Sequence, residues 1–363
     1  MSAVVRGLVA RGAGQELTVE DVRLPRPDAG EVRVRIRAAG VCHSDLSMVN
    51  GTLAPPFPLV LGHEAAGVVV EVGDGVERVR VEDHVVLNWA PACRQCWFCR
   101  HDEPWLCASS GTPAVARGAT ADGAQLHVTL GLGALAQEVV VPQHAVIAVP
   151  PALPWAEAAL LGCAVLTGVG AVNNTAAVKA GDSVAVIGLG GVGLAALTAA
   201  RAAGAGPVIA VDVSPAKREL ALAAGATDYL VSDDRLAKTI RELTEGRGVD
   251  HAFECVGRSA TIRTAWRSAR RGGQVIVVGM GAKDDEVGLS ALDIFHSART
   301  LRSSVYGSSD PDREVPELAR AVLDGSLSLA PLITDRIPLD AAPAAFERMA
   351  RGEGARSVVL FDE

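Results

Sequence analysis

Four cysteines stand close together in the sequence, at Cys93, Cys96, Cys99 and Cys107. The gaps between them are two, two and seven residues. Zinc prefers tetrahedral thiolate ligands, and this spacing lets one short loop surround the ion. The segment has almost no hydrophobic periodicity, so we expect a structural zinc ion to hold it together. Disulfides or a redox cluster are the alternative, which a reducing cytosol disfavours.

A second candidate metal site involves two turns near the N-terminus, Gly40–Leu46 and Gly62–Gly67. Cys42 and His63, with the distant Cys163, would supply two thiolates and one imidazole and leave a fourth position for water or substrate. An open zinc site of this kind is catalytic. Each residue alone also has an ordinary explanation, since a buried cysteine packs as a small hydrophobic residue. The presence of the four-cysteine segment and a dinucleotide motif in the same chain favours the metal site.

A glycine-rich motif follows the apolar segment Val184–Ile187. In dinucleotide-binding proteins such glycines permit a tight turn and a close approach of the pyrophosphate, and the next helix contributes its N–H groups. A tight turn without a ligand is the alternative, but strand, glycines and helix occur here in the expected order. The motif comprises Gly188, Gly190, Gly191, Val192 and Gly193.

Asp212 follows Gly193 after nineteen residues, at the end of the next predicted strand. A carboxylate there can accept hydrogen bonds from the adenosine ribose and would repel a 2′-phosphate. We therefore predict NAD, rather than NADP, as the cofactor. Lys217, one helical turn further on, either reaches the same ribose or is a solvated helix lysine.

The composition indicates a globular protein of two domains. The chain has 363 residues, 49% of them hydrophobic, and single cores stop growing at about 250–300 residues. The net charge of −8 argues against a nucleic-acid or anionic-membrane partner. The N-terminal residues show no secretory pattern, so we expect a cytoplasmic location. Two uncharged segments, Ala158–Val178 and Ser183–Ala200, are interpreted as buried helices and strands rather than membrane spans.

The predicted elements change character near residue 181. The first 150 residues contain segments such as Val32–Arg37 and Ala65–Val72, which predict short strands separated by turns. Beyond residue 181, alternating strands and helices predict a parallel sheet covered by helices on both faces. The strands are Ser183–Ile187, Pro207–Val211, Asp250–Glu254 and Gln274–Val278, and the helices are Val192–Ala203, Pro215–Ala224 and Thr261–Ala269. A last helix, Ala341–Arg351, and a last strand, Ser357–Phe361, fit a return to the first domain.

With these motifs the chain resembles, over nearly its whole length, the zinc-dependent alcohol dehydrogenases of the medium-chain dehydrogenase/reductase superfamily. The resemblance implies an α/β fold, with a Rossmann-type doubly wound parallel sheet plus a mainly β GroES-like catalytic domain. The GroES-like domain would comprise residues 1–164 and 306–363 and include the zinc lobe at 93–107. The Rossmann domain would comprise residues 165–305.

The resemblance also implies two zinc ions per chain. Cys42, His63 and Cys163 would bind the catalytic ion, and the four clustered cysteines the structural one. Zinc would act as a Lewis acid on the alcohol oxygen while the nicotinamide accepts a hydride. Asp45 would hold His63 in place, and Glu64 would be an occasional exchange ligand.

Further residues would contact substrate or cofactor by the same resemblance. Ser44 would touch the alcohol oxygen and begin proton removal. Trp89 would form a wall of the substrate pocket, unless it is an ordinary core tryptophan. Cys255 would be a buried strand residue without assigned chemistry. The expected cofactor contacts are His43 and Arg356 at the pyrophosphate, Thr167 at the nicotinamide, and the backbone of Val278, Met280 and Ser304 at the carboxamide.

The implied function is NAD-linked oxidation of a primary, aromatic or allylic alcohol, or reduction of the aldehyde. One position departs from the family pattern. Relatives often carry a relay histidine three residues after the serine, whereas this chain has Ser47, which cannot serve as a base near pH 7. Water or His43 would then complete the proton path. The alternatives are a mycothiol- or glutathione-dependent formaldehyde dehydrogenase, a reductase of conjugated double bonds, and a catalytically silent dinucleotide-binding protein.

The segment Ala108–Leu135, after the last lobe cysteine, is predicted to be a long loop. Dimeric members of the family have such a loop, so we expect a homodimer.

Overall fold

The structure, a computed structural model, describes residues 3–111 and 114–362. The chain packs into two units. The first comprises the described residues up to Cys163, the segment Asp310–Gly325 and the described residues from Ile333 onward. The second comprises Ala164–Ser309 and Ser326–Leu332. The sequence prediction assigned residues 1–164 and 306–363 to the first domain, whereas here Ala164, residues 306–309 and Ser326–Leu332 belong to the second unit.

The elements follow one another in a simple order. Up to Cys163 they are β1 (Ala3–Ala10), β2 (Leu17–Leu24), β3 (Glu31–Gly40), α1 (His43–Val49), β4 (Leu59–Val60), β5 (Ala65–Val72), β6 (His84–Leu87), β7 (Ala114–Thr120), β8 (Gln125–Thr129), β9 (Glu138–Pro142), β10 (Val146–Ala148) and α2 (Trp155–Leu160). The second unit continues with α3 (Leu166–Gly170), β11 (Val184–Ile187), α4 (Gly191–Ala202), β12 (Val208–Asp212), α5 (Arg218–Ala223), β13 (Asp228–Val231), α6 (Leu236–Leu243), β14 (Val249–Glu254), α7 (Ser259–Ser268), β15 (Ala269–Val277), α8 (Ala291–Ser297) and β16 (Thr300–Ser303). The return to the first unit forms α9 (Pro311–Leu323), β17 (Ile333–Ile337), α10 (Ala342–Ala350) and β18 (Arg356–Leu360).

The first unit consists mainly of antiparallel strands. Five of them close a barrel in the order β1-β2-β7-β8-β4, and a second sheet runs β10-β6-β5-β3-β18-β17, with β9 also paired to β3. In β3 the apolar side chains of Val32, Val34 and Ile36 are buried, while the arginines between them are wholly or partly exposed. This alternation gives the strand one wet face, as predicted from its sequence.

The second unit contains a parallel sheet in the order β13-β12-β11-β14-β15-β16. Every residue of β11 and β12 is buried, because helices cover both faces of such a sheet. The predicted doubly wound sheet is therefore confirmed. The sequence did not reveal β13 or β16, since these short outer strands are partly or wholly exposed and lack a continuous apolar run.

The segment Ala108–Leu135 is not a long loop, and that prediction was wrong. Its residues form β7 and β8, an antiparallel pair that takes part in the closed barrel. Thr112 and Pro113 lie outside the described residues. The strands are hard to recognise in the sequence because β7 has small, partly exposed side chains.

The apolar segment Trp155–Ala176 is long enough to cross a membrane, but 72% of its most apolar window is buried inside the protein. It combines α2 and α3 with two π-helical turns, at Leu161–Val165 and Ala171–Ala176. Burial in the fold accounts for its composition, in agreement with the interpretation from the sequence.

Candidate functional site

Cys42, His63 and Cys163 come together in the first unit. Their ligand atoms all lie within 4.8 Å of one another, and the Cys163 Sγ is 3.3 Å from the His63 Nε2. All three side chains are buried. Two thiol sulfurs and one imidazole nitrogen form a donor set that fits zinc, and three protein donors leave one coordination position for another molecule.

Asp45 and Gly62 fix the orientation of His63. The Asp45 carboxylate is fully buried, with Oδ2 3.0 Å from the His63 Nδ1 and Oδ1 accepting a hydrogen bond of 2.8 Å from the Gly62 N–H. Gly62 has a φ of +100°, and a Cβ there would collide with the backbone nitrogen of Leu135. With its Nδ1 directed at Asp45, the imidazole presents Nε2 to the two cysteines.

The charges around this cluster suit a bound cation. A hydrogen bond from the Cys163 thiol, together with the positive charge of Arg356, holds the pKa of Cys42 well below the usual value for a thiol. The same hydrogen bond and burial raise the pKa of Cys163. The two cysteines thus share a proton, which a metal ion would displace on binding.

Arg356 and Glu64 form a buried pair beside the cluster. The Arg356 Nη1 donates a hydrogen bond of 2.7 Å to the Val41 carbonyl, and its Nε lies 3.6 Å from the Glu64 Oε2. Although burial opposes the charge, Glu64 raises the pKa of Arg356, and Cys42 contributes in the same direction. Within the first unit Arg356 therefore balances the negative charges of the cluster, and its predicted contact with the pyrophosphate stays a prediction.

Helix α1 carries the remaining predicted residues of this site. Cys42 precedes the helix, His43 begins it with an exposed side chain, and Ser44 is half-buried. Ser47 is buried, and its hydroxyl donates a hydrogen bond of 3.1 Å to the His43 carbonyl.

Trp89 is half-buried and packs against the core of the first unit. Its role as a pocket wall is still a prediction.

The four clustered cysteines form a second group whose ligand atoms lie within 4.8 Å of one another. All seven cysteines lie in the described part of the chain and none of them is in a disulfide, which argues against the disulfide alternative. Backbone N–H groups point at the sulfurs: Cys96 donates to the Cys93 Sγ at 3.3 Å and Cys93 donates to the Cys107 Sγ at 3.2 Å. The N–H groups of Gln95 and Cys96 lower the pKa of Cys93 to about 6. Four sulfurs within reach of one ion, with the thiolates of Cys93 and Cys96 stabilised by backbone N–H groups, suit a closed zinc site.

Arg94, between the first two of these cysteines, makes contacts that sequence reasoning missed. Its guanidinium donates hydrogen bonds of 2.7 and 2.6 Å to Asp310 and of 2.7 Å to Asp312, at the start of α9. These bonds connect the zinc lobe to a segment more than two hundred residues later, and only the large sequence separation hid them.

The glycine motif of the second unit lies between β11 and α4. A Cβ at Gly193 would collide with the carbonyl oxygen of Gly188, so the turn is as tight as expected for this motif. At Gly190 a Cβ would project into open space. The first N–H groups of α4 face this turn without carbonyl partners in the helix. Open space in front of a helix N-terminus fits a nucleotide pyrophosphate.

Asp212 ends β12 beside this turn. Its carboxylate accepts hydrogen bonds from the Leu189 N–H at 2.8 Å and the Ser214 N–H at 3.0 Å, and Lys217 Nζ lies 3.2 Å from Oδ2. Both side chains are buried, so Lys217 is not a solvated helix lysine. That alternative is excluded, and the pair forms one charged group at the end of the strand.

The other predicted cofactor residues lie at the ends of strands or on α3. The Val278 N–H donates to the Glu254 carbonyl at 2.8 Å, Met280 is 54% exposed, and Thr167 is half-buried on α3. Ser304 is buried, with its hydroxyl 2.8 Å from the hydroxyl of Thr175. Sequence reasoning missed Thr175 because its partner is 129 residues away.

Cys255 is not a strand residue, contrary to the prediction. It follows the last residue of β14 and is partly exposed. Its N–H donates to the Ile187 carbonyl at 2.8 Å, beside the glycine turn.

Two family models match the chain. The alcohol dehydrogenase GroES-like domain matches residues 28–151, and the zinc-binding dehydrogenase domain matches residues 191–324. The predicted GroES-like domain is thereby confirmed, and the two matches cover most of both units.

Relatives match over the whole length. The S-(hydroxymethyl)glutathione dehydrogenase of Synechocystis sp. is 37% identical over 98% of this chain and 99% of its own. Among solved structures, an alcohol dehydrogenase zinc-binding domain protein from Burkholderia ambifaria has a TM-score of 0.92 at 33% identity, covering 100% of both chains. The benzyl alcohol dehydrogenase of Acinetobacter calcoaceticus has a TM-score of 0.91 at 27% identity, covering 99% and 100%. A zinc-binding dehydrogenase of Sinorhizobium meliloti bound to NADP has a TM-score of 0.82 at 25% identity, again covering 99% and 100%. The zinc-binding dehydrogenase model, the NADP-bound structural neighbour and the four-cysteine cluster support zinc and a nicotinamide dinucleotide as the cofactors of this chain.

Proposed function

Because the chain belongs to the zinc-dependent alcohol dehydrogenases of the medium-chain dehydrogenase/reductase superfamily, we propose that it oxidises the adduct of formaldehyde with a small thiol. The adduct, RS–CH₂OH, would lose a hydride to NAD and a proton to water, giving the thioester RS–CHO. The observation that carries this proposal is the 37% identity, over 98% of the chain, to an S-(hydroxymethyl)glutathione dehydrogenase. The thiol would be glutathione or mycothiol.

The residues of the first unit would have separate roles in this reaction. Cys42, His63 and Cys163 would hold the catalytic zinc, with Asp45 orienting His63. When bound, the ion supplies Lewis acidity and the nicotinamide accepts the hydride. Ser44, half-buried at the start of α1, would accept a hydrogen bond from the substrate hydroxyl and pass its own proton on toward water as it receives the substrate's proton. The four-cysteine lobe would hold a structural zinc ion and take no part in the chemistry.

Ser47 supports an acidic substrate. Its hydroxyl is buried and donates to the His43 carbonyl, so this chain has no base at the position where relatives often carry a histidine. A hydroxyl on a carbon that also bears sulfur is more acidic than that of a simple primary alcohol, because the sulfur withdraws electron density. Such a substrate needs less help in losing its proton.

Asp212 supports NAD rather than NADP. The buried carboxylate at the end of β12 would accept hydrogen bonds from the adenosine ribose and repel a 2′-phosphate. Lys217, held 3.2 Å from that carboxylate, would add a donor to the same ribose.

A second candidate is the oxidation of a primary, aromatic or allylic alcohol. The likeness to a benzyl alcohol dehydrogenase, with a TM-score of 0.91, favours it, as does the bulk of Trp89 if that side chain lines the pocket. A planar substrate would fit a slot beside an indole ring.

We further propose that the chain forms a homodimer. Strand β16 is the last in its sheet and its side chains are exposed, and the preceding helix α8 exposes Leu292, Ile294 and Phe295. An exposed strand edge with apolar side chains nearby favours pairing with another chain. Light scattering should give the mass of a dimer, and Leu301→Lys in β16 should shift it toward the monomer. A monomeric wild type would refute the dimer.

The substrate is tested by following NADH formation with formaldehyde alone, with formaldehyde plus glutathione or mycothiol, and with benzyl alcohol. We expect formaldehyde to be oxidised only when a free thiol is present. S-methylglutathione is the matched control, since it cannot form the adduct. A higher kcat/KM for benzyl alcohol than for the formaldehyde–thiol adduct, with no effect of either thiol on formaldehyde oxidation, would favour the second candidate.

Ser47→His gives a second discrimination between the two substrates. An imidazole with a reference pKa of about 6.5 can accept a proton near pH 7. We expect this variant to speed oxidation of benzyl alcohol near pH 7 and to leave oxidation of the more acidic adduct nearly unchanged. Equal acceleration of both substrates would contradict the argument from acidity.

A further inference from the structure

The segment after β16 has an unusual backbone. Tyr306 has φ and ψ of 50° and 33°, Gly307 of 73° and 12°, and Ser308 has a φ of 49°. Side chains other than glycine rarely adopt this left-handed region, and two of these three residues are not glycine. Such conformations persist only where surrounding structure holds them, and they concentrate at functional sites.

Two residues of the π-helical turn Ala171–Ala176 hold this segment. The Thr175 hydroxyl lies 2.8 Å from the Ser304 hydroxyl and 2.9 Å from the Ser308 hydroxyl. The Asn174 amide donates to the Gly307 carbonyl at 3.4 Å and to the Ser309 hydroxyl at 3.2 Å. Thr175 is buried, so water cannot replace its bonds.

Tight packing leaves the segment little freedom to move. A Cβ at Gly170 would collide with the Ser309 hydroxyl and the Gly307 carbonyl, and a Cβ at Gly307 would come within 2.5 Å of the Leu166 carbonyl. The backbone of the helical segment therefore touches the backbone of the 304–309 segment directly. Polar contacts and packing together define one shape for it.

The segment lies at the edge of the sheet where a nucleotide would bind. In register, Ser303 pairs with Val277, Val277 with Glu254, and Glu254 with Ile187, the residue before the glycine turn. Ser304 thus leaves the sheet at the same edge as the glycine turn. In open parallel sheets, ligands bind at the carboxyl ends of the strands.

We propose that Asn174 and Thr175 are positioning residues, which hold the Ser304–Ser308 backbone in the shape that receives the nicotinamide carboxamide. This inference rests on the proposed function and on the expectation, taken from the family resemblance, that the backbone of Ser304 faces that group. The two residues act through the segment and need not touch the cofactor. Substituting either residue should therefore weaken binding of the nicotinamide half of NADH and leave binding of the ADP-ribose half unchanged.

The test compares the binding of NADH and ADP-ribose by titration calorimetry with purified zinc-loaded protein. ADP-ribose lacks the nicotinamide, so a shift confined to NADH reports on that half of the site. Thr175→Val removes the hydroxyl and keeps the shape, and we expect the Kd for NADH to rise about tenfold, as for the loss of one or two hydrogen bonds. The Kd for ADP-ribose should not change. Thr175→Ser, which keeps the hydroxyl, should restore NADH binding.

Asn174→Ala provides an independent variant at an exposed position, and it should weaken NADH binding without affecting ADP-ribose. Asn173→Ala, at the neighbouring exposed residue, is the matched control and should bind both ligands as the wild type does. Equal weakening of NADH and ADP-ribose, or no weakening of either in Thr175→Val and Asn174→Ala, would overturn the inference. A wild type that binds neither ligand would overturn the proposed function and this inference with it.

Discussion

Asp45→Asn should weaken one of the two zinc sites and spare the other. The Asp45 carboxylate has two partners, the Gly62 N–H at 2.8 Å and the His63 Nδ1 at 3.0 Å. An asparagine side chain has a single acceptor oxygen, and its other terminal atom is an N–H donor. It can therefore accept a hydrogen bond from only one of these two N–H groups. With its Nδ1 proton unpaired, the imidazole would favour the tautomer that protonates Nε2, the atom that faces Cys163.

The size of the effect can be worked out in two ways. A hydrogen bond to a charged group contributes about 1.5–3 kcal/mol. Loss of a residue that orients a metal ligand typically costs about 10–100-fold in metal affinity, which is about 1.4–2.7 kcal/mol. Both lines of reasoning predict that the zinc affinity of the Cys42, His63 and Cys163 site falls by one to two orders of magnitude.

The assay is zinc content per chain after dialysis against increasing concentrations of a chelator. Wild type should hold two ions over the lower part of the range, and Asp45→Asn should lose one ion at about 10–100-fold lower chelator concentration. Asp340→Asn is the matched control, since this aspartate is 63% exposed and pairs with Arg6 at the surface. Retention of both ions by Asp45→Asn at wild-type chelator concentrations, or simultaneous loss of both, would refute the reasoning.

Three further predictions concern the zinc lobe, the cofactor and the effect of pH. Cys96→Ser should leave about one zinc per chain and lower the Tm, because metal binding to such lobes is coupled to their folding; an unchanged Tm with activity lost would contradict a structural role. Asp212→Gly combined with Val213→Arg should shift the ratio of kcat/KM from NAD toward NADP, since Val213 is 76% exposed and a cation there can meet a 2′-phosphate; equal use of both cofactors by the wild type would count against the role of Asp212. Although burial opposes it, hydrogen bonds from Ser183 and Arg270 lower the pKa of the Asp250 carboxyl from its usual 3.8 to about 2. The Asp250 carboxylate therefore contributes to stability above pH 4, and this contribution is lost as the pH falls toward 2. The difference in the free energy of unfolding between wild type and Asp250→Asn, measured by chemical denaturation, should shrink from pH 4 to pH 2. A constant difference would exclude this linkage.

Several features of the protein could be predicted from local patterns in the sequence. Three of them are the four-cysteine segment, the glycine motif and the alternation in β3. Each lies within one short segment of the chain, where residue spacing alone decides which side chains can meet. The place of Asp212 at the end of the second parallel strand could be predicted from the apolar run before it, and its contact with the ribose stays a prediction. The fold class followed from the change in hydrophobic period near residue 181.

Only the tertiary structure decided which distant residues meet. Arg356 lies 315 residues from Val41, Asp310 lies 216 residues from Arg94, and Ser304 lies 129 residues from Thr175. No periodicity links such pairs, because their approach depends on sheet order, strand register and the packing of helices on the sheet. The hairpin within Ala108–Leu135 escaped detection for the same reason: its weakly apolar strands are stabilised by their neighbours in a closed barrel rather than by their own composition.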